Sequence, residues 1–116
     1  MKTETVYFLN IRKEFTYYIG QNEVDNFKII DMSTPDDIWF HSSDSSSCHV
    51  VVRITEPLSK KELQTICKKG ALLCKENTNK LKKLSNVEFI YTSIKNIIKT
   101  EKNGCVLTQN TKKIVC

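Results

Sequence analysis

The feature that most limits how this chain can fold is one fully specified amphipathic helix, set among apolar segments that are short and alternating. Ser59-Lys60-Lys61-Glu62 is a capping box: the Ser hydroxyl accepts from the backbone three residues on, and the Glu carboxylate reaches back to the Ser N–H. Pro57 precedes it, and Leu58 and Leu63 sit where a hydrophobic staple belongs. Leu63, Ile66, Cys67, Gly70, Leu73 and Cys74 then form an apolar stripe, with Gly70 leaving room for a sheet to approach. Lys61, Lys68 and Lys75 line up elsewhere on the helix at seven-residue spacing. The pattern predicts a helix ending near Asn77, and its stripe needs a sheet to cover it.

The flanking segments supply that sheet. Residues 5–9 and 15–19 alternate and are rich in Tyr, Phe and β-branched types, so they read as two strands joined across residues 10–13, with Gly20 ending the second. From Asn22, a cap with Asp25 three residues on, Val24, Phe27 and Ile30 recur at helical spacing until Ser33-Thr34-Pro35, which predicts a short helix. Residues 37–41 and 49–54 are strand-like, separated by the polar stretch 42–48, which reads as a loop.

A wide hairpin with its midpoint at Ser45 sets His41 opposite His49, Trp39 opposite Val51 and Asp37 opposite Arg53. Phe40, Val50, Ile38 and Val52 then share the other face, as the core face. A slip of one residue would mix charged and apolar groups on both faces, so this register is the expected one. After the basic linker Lys80-Leu81-Lys82-Lys83, residues 87–92 and 94–99 look extended or partly so. Asn103-Gly104 is a turn signal leading to a strand at 105–108, and Ile114-Val115 closes the sheet. The expected fold is α+β: a mixed, largely antiparallel β-sheet with two helices packed on it, forming a single domain over residues 1–116.

Charge is divided unevenly. Residues 1–58 hold 5 basic and 9 acidic groups and residues 59–116 hold 13 and 4, so the second half is the expected polyanion surface. No run of roughly 18 apolar residues is present and the N-terminus lacks a secretory pattern, so a soluble, cytoplasmic protein without membrane contact is expected. Five cysteines without a CxxC pair fit reduced thiols, with Cys67 and Cys74 packing as small apolar residues, and no metal or other cofactor is expected.

An ordered set of motifs carries a family resemblance: Tyr17-Tyr18-Ile19-Gly20 followed by Asn26, Asp36-Asp37-Ile38-Trp39-Phe40-His41, Ser46-Ser47-Cys48-His49-Val50, and Phe89-Ile90-Tyr91-Thr92 with Lys99 downstream. Together they resemble NFACT-R domains, closest to the eukaryotic stand-alone members. Gly20, Asn26, Asp37, Tyr91 and Thr92 would be the structural motif positions. The large multidomain NFACT proteins bind stalled ribosomal subunits and tRNA in ribosome-associated quality control, so the resemblance implies ribosomal or transfer RNA as partner, with ribosomal subunit proteins as further contacts. Gln21 stands where many multidomain members have Arg, and Ser47 replaces a frequent Gly, so a phosphate contact is expected to be missing. The C-terminal helical extension of many stand-alone relatives is not expected here.

The residues themselves suit that chemistry. Trp39, His41, His49 and Arg53 would share one polar face, where aromatic and guanidinium planes stack on splayed bases and imidazoles reach base edges or the 2′-hydroxyl. Trp39 would be the main contact. Lys82, Lys83, Lys95 and Lys99, with Lys61, Lys68, Lys75 and Lys80, would track phosphates. The competing readings are Trp39 as a core residue under a helix, and the two histidines as hydrogen-bonded structural groups holding the Ser-rich loop. Asp37 with Arg53 reads as a cross-strand ion pair that positions Arg53. No hydrolase triad, phosphate-binding loop or deaminase signature is present, so a non-catalytic module is expected, with a protein-interaction adaptor as the alternative.

Overall fold

A computed structural model describes residues 1–102 and 105–116. The expected turn at Asn103-Gly104 lies outside the described residues. The element order is β1 (Lys2–Phe8), β2 (Lys13–Ile19), α1 (Glu23–Met32), β3 (Ile38–Ser42), β4 (Val50–Val52), α2 (Lys60–Glu76), β5 (Glu88–Ser93), a 3₁₀ turn (Ile94–Asn96), β6 (Ile97–Lys99), β7 (Val106–Thr108) and β8 (Lys112–Val115). Six strands form one antiparallel sheet in the order β1-β2-β4-β3-β5-β8, and β6 and β7 form a separate two-stranded ribbon. The α+β class and its two helices are as expected from the sequence.

The β3–β4 register is also the one expected, with Ile38 opposite Val52, Trp39 opposite Val51 and Phe40 opposite Val50. Period-two alternation sends Ile38, Phe40, Val50 and Val52 to one face, where they join Tyr17, Ile19 and Phe89 against Ile66, Cys67, Ala71, Leu73 and Cys74 of α2. The capping box of α2 is fully formed, with Ser59 N donating to Glu62 Oε1 at 2.8 Å and Glu62 N donating to Ser59 Oγ at 3.2 Å. Gly70 is where the helix meets the sheet: a Cβ there would stand 2.4 Å from the Phe40 ring. Tyr17 spans the same interface and donates to the Ile66 carbonyl at 2.8 Å.

The opposite face is covered too, which the alternation did not disclose. Trp39 and Val51 pack beneath Ile29 of α1 and Ile94 of the 3₁₀ turn, with Ile30, Ile90, Ile97 and Val106 around them. The two helices therefore sit on opposite faces of the sheet. The apolar stripe of α1 is rotated from the expected one. Val24 is exposed, and the buried positions are Asn26 and Ile29, because Asn26 turns inward to partners described below. Asn22 caps α1 as expected, accepting from Asp25 N at 2.9 Å.

Candidate nucleic-acid interface

Trp39 and His41 project from β3 and His49 immediately precedes β4, so strand geometry alone brings the three rings together. The Trp39 and His41 planes are parallel within 6° at a centroid distance of 5.5 Å, and His49 stands edge-on to both, 5.4 Å from Trp39 and 4.9 Å from His41. The expectation that Trp39 offers an open stacking face is corrected: its residue is 2% exposed. α1, the 3₁₀ turn and the β6–β7 ribbon cover its face, and a substitution there would report on packing rather than on ligand stacking.

The hydrogen bonds define what the imidazoles can do. Trp39 Nε1–H, a donor only, points at His49 Nδ1 at 3.1 Å, so neutral His49 carries its proton on Nε2. His41 Nδ1 lies 2.7 Å from the Ser42 carbonyl, an acceptor only, which places the His41 proton on Nδ1 and leaves Nε2 as an acceptor. Burial pushes the His49 pKa down to about 3, with the neighbouring His41 charge acting in the same direction. Burial also holds His41 below its ordinary value; the Ser42 carbonyl opposes this, and the Lys80 ammonium adds to it. Both rings are neutral at physiological pH.

These rings line a cavity of about 570 Å³ whose other walls come from Glu23 and Asn26 of α1, the loop 43–47, and Lys102, Cys105 and Val106 at the ribbon. From composition alone that loop reads as a connector. It is instead an organised wall: Ser42 N donates to Ser47 Oγ at 3.0 Å, the Ser42 and Ser45 hydroxyls pair at 3.1 Å, and Ser43 Oγ donates to Glu88 at 2.7 Å. The density of serines was the available signal, since their hydroxyls substitute for backbone partners in tight loops. A second depression of about 530 Å³ lies across the same loop, lined by Gly20, Ser46, Ser47, Cys48, Thr78 and Lys80 among others.

The motif positions make contacts of their own around this site. Gly20 N donates to the His49 carbonyl at 2.9 Å, and His49 N donates to Asn26 Oδ1 at 3.3 Å. A Cβ on Gly20 would stand 2.1 Å from that same Asn26 oxygen, so the absent side chain is what admits Asn26 to His49. Thr92 Oγ1 lies within 3.0 Å of the Gln109 carbonyl and accepts from Asn96 Nδ2 at 2.9 Å, tying β5 to the 3₁₀ turn and to the approach to β8. Tyr91 packs on Phe40 on the α2 face.

Arg53 does not join the rings. The expected pair with Asp37 is present, Nε to Oδ2 at 3.0 Å, while Nη2 donates to the Met32 carbonyl at 3.2 Å and the guanidinium lies 5.6 Å from the Tyr18 ring centroid. The Nε contact is a charge contact rather than an aligned hydrogen bond. Arg53 lies beyond one end of β4 and His49 beyond the other, so the two share the α1-side face by alternation but are separated along the strand, and Arg53 does not reach the ring cluster.

The lysines divide likewise. Lys95 is 3.9 Å from Asp36, and Lys99 is paired with Asp31 and lies 5.4 Å from the Phe27 ring centroid. Lys82 and Lys83 are exposed and, among the described residues, make no carboxylate contact. Lys80 donates to Ser46 Oγ at 2.7 Å, so the basic segment after α2 reaches the wall of the imidazole cavity. Among the described residues no group of three His, Cys, Asp or Glu side chains is placed to hold a metal ion, and no helix is long and apolar enough to cross a membrane.

The buried imidazoles carry a pH prediction. His41 and His49 bind protons less readily when folded than when unfolded, so their contribution is intact above the ordinary value of 6.5 and is lost as pH falls below it. The loss for His49 continues down toward about 3. Asp25 and Glu62, whose carboxyls are lowered by the N-terminal amine and by Lys13 respectively, lose stability only below the ordinary carboxylate range. Urea unfolding should therefore show a loss on the order of 1–2 kcal/mol between pH 7 and pH 5. A flat profile across that interval would mean the imidazoles are not buried neutral.

The family model described as the NFACT protein RNA binding domain matches residues 5–114. The coiled-coil domain-containing protein 25 homolog of Dictyostelium discoideum is 30% identical over 112 residues, covering 94% of this chain and 54% of that protein. Coiled-coil domain-containing protein 25 of Mus musculus is 32% identical over 87 residues, covering 74% of this chain and 42% of that protein. The chain thus spans about half, or less, of the length of these relatives. The C-terminal part of the fibronectin/fibrinogen-binding protein from Streptococcus suis shares the fold, with a TM-score of 0.77 at 24% identity over 99% of this chain and 45% of that one. With the family model spanning the sheet, both helices and the cavity-lining loop, the chain belongs to the NFACT RNA-binding domain family.

Proposed function

We propose that this chain is a non-catalytic RNA-binding module acting on ribosomal or transfer RNA, in the cytoplasm. The observation that carries the reading is the junction at Ser46, where the Lys80 ammonium meets the loop that walls the imidazole cavity. Phosphates would lie along Lys80, Lys82 and Lys83, while a base or ribose from an unpaired stretch enters the cavity. There His49 Nε2–H supplies a donor and His41 Nε2 an acceptor. The cavity rim holds Glu23 and Asp44 beside Lys102, so its contribution is shape and hydrogen bonding, and the lysines supply the electrostatic attraction. Ribosome-associated quality control is the proposed setting, by resemblance to the multidomain NFACT proteins.

The test is titration of labelled transfer RNA and of an unpaired ribosomal RNA fragment by fluorescence anisotropy at several salt concentrations. The Lys82→Gln/Lys83→Gln protein is expected to bind more weakly, with the log–log salt slope reduced by about 0.7 for each single-strand phosphate that is no longer neutralised. His41→Ala is expected to weaken binding at unchanged slope while the fold, followed by circular dichroism, persists. Wild-type affinity in both variants would refute the interface.

One observation favours a second reading. Ile98 and Leu107 face each other across the β6–β7 ribbon and are 55% and 62% exposed, an apolar pair suited to a protein contact in a ribosome-associated complex. Partner capture that survives nuclease treatment and is abolished in Ile98→Ser would support this adaptor role.

A further inference from the structure

Cys48 and Cys74 are far apart in sequence and meet where the Ser-rich loop crosses the last turn of α2. Their sulfurs are 3.9 Å apart; Cys74 Sγ lies 3.1 Å from the Cys48 carbonyl and Cys48 Sγ lies 3.4 Å from the Cys74 carbonyl. Cys74 is fully buried, whereas Cys48 is half-buried and lines the second depression, so a small reagent can reach Cys48 first. Thr78 Oγ1 is 3.5 Å from the Cys48 sulfur and accepts from Cys48 N at 3.1 Å, which fixes the thiol against the helix end.

We propose that Cys48 and Cys74 form a redox modification site at which hydrogen peroxide drives an intramolecular disulfide, cross-linking the Ser-rich loop to α2. The Cys48 thiolate attacks one peroxide oxygen, the O–O bond breaks and hydroxide departs, leaving Cys48 as a sulfenic acid. The Cys74 sulfur then attacks the Cys48 sulfur; the S–O bond breaks, and the departing hydroxide takes the Cys74 proton as water. Counting the proton first released from Cys48, two thiols are oxidised and one peroxide is reduced to two waters. The sulfurs must close by about 2 Å to reach bonding distance.

The environments assign the roles. Hydrogen bonding from Cys74, aided by Thr78, lowers the Cys48 thiol against its burial, while that same pairing and burial raise Cys74. Cys48 is thus the attacking group and Cys74 the resolving one. Cys67 is buried and pushed up to about 12, chiefly by that burial, and takes no part. The cross-link would fix the shared wall of the two cavities, and it does not depend on what those cavities bind.

Folded protein would be treated with stoichiometric hydrogen peroxide, then alkylated and mapped by mass spectrometry. The expected result is a linked Cys48–Cys74 peptide pair, two hydrogens lighter than its reduced parts, that dithiothreitol restores. Cys48→Ser should abolish it. Cys74→Ser should leave Cys48 as a sulfenic acid trapped by dimedone; if that variant does not fold, the wild-type map still decides the matter. Oxidation confined to exposed Cys105, with Cys48 and Cys74 both still alkylated after unfolding, would overturn the proposal.

Discussion

Replacing Asp37 by alanine is expected to lower the unfolding free energy by about 3 kcal/mol, a large loss for a single polar substitution. The carboxylate is fully buried and makes three contacts, joining the turn before β3 to the segment that follows β4. Oδ1 accepts from Ile54 N at 2.8 Å, Oδ2 accepts from Thr34 N at 2.9 Å, and Arg53 Nε lies 3.0 Å from Oδ2. The backbone of the same residue closes the turn before β3, donating to the Thr34 carbonyl at 3.0 Å, and its carbonyl receives Ile94 N at 2.8 Å. Alanine keeps those backbone bonds and strips the side-chain ones, leaving a half-buried guanidinium without its counter-charge.

Breaking a buried pair usually costs about 3–5 kcal/mol, but the Arg53 side chain is 33% exposed and can turn partly to water, which sets the expectation at the lower end. Urea denaturation measures it directly. Asp37→Asn should cost less, about 1–2 kcal/mol, because the amide oxygen still accepts one N–H. In an Arg53→Met background the alanine substitution should cost less than in the wild type, since no orphaned charge remains. A loss under about 1 kcal/mol for Asp37→Ala would show that water replaces the carboxylate freely.

The second large effect is at Gly70. Alanine in mid-helix gains about 1 kcal/mol of intrinsic propensity over glycine, so an exposed position would be stabilised by the change. At Gly70 the added methyl would stand 2.4 Å from two carbons of the Phe40 ring and 2.7 Å from a third. Phe40 is itself fully buried among the strands and cannot swing into solvent. Overpacking of this kind costs about 1–3 kcal/mol, more when backbone must shift, so a net loss of about 2 kcal/mol is expected. Adding Phe40→Leu should recover part of it, making the double variant more stable than the two single losses predict. A Gly70→Ala protein that melts higher than wild type would show that α2 can move away from the sheet.

The two substitutions separate what was legible in the sequence from what was not. Gly70 stood out within its helical stripe, and the cross-strand pairing of Asp37 with Arg53 followed from the hairpin register. The partners that make Asp37 expensive, Thr34 and Ile54 N–H groups, carry no sequence signal because any residue other than proline offers a backbone donor. Trp39 shows the same limit: its strand, register and face followed from the sequence, yet whether it stood open or under a helix was left undecided there. Alternation says that Trp39 and Phe40 point in opposite directions, and nothing in a strand's own residues says whether a helix covers one face or both.

Local order was written in the chain itself. The capping box, the β3–β4 register and the succession of strands and helices depend on residues a few positions apart, where backbone geometry leaves few alternatives. Tertiary structure alone decided the rest: α1 on the far face burying Trp39, the Arg53 guanidinium reaching the Met32 carbonyl and the Tyr18 ring, Lys80 on the Ser-rich loop, and Cys48 against Cys74. Those arrangements follow from how separate elements share one core, and packing free energy is a property of the assembled faces rather than of any one segment.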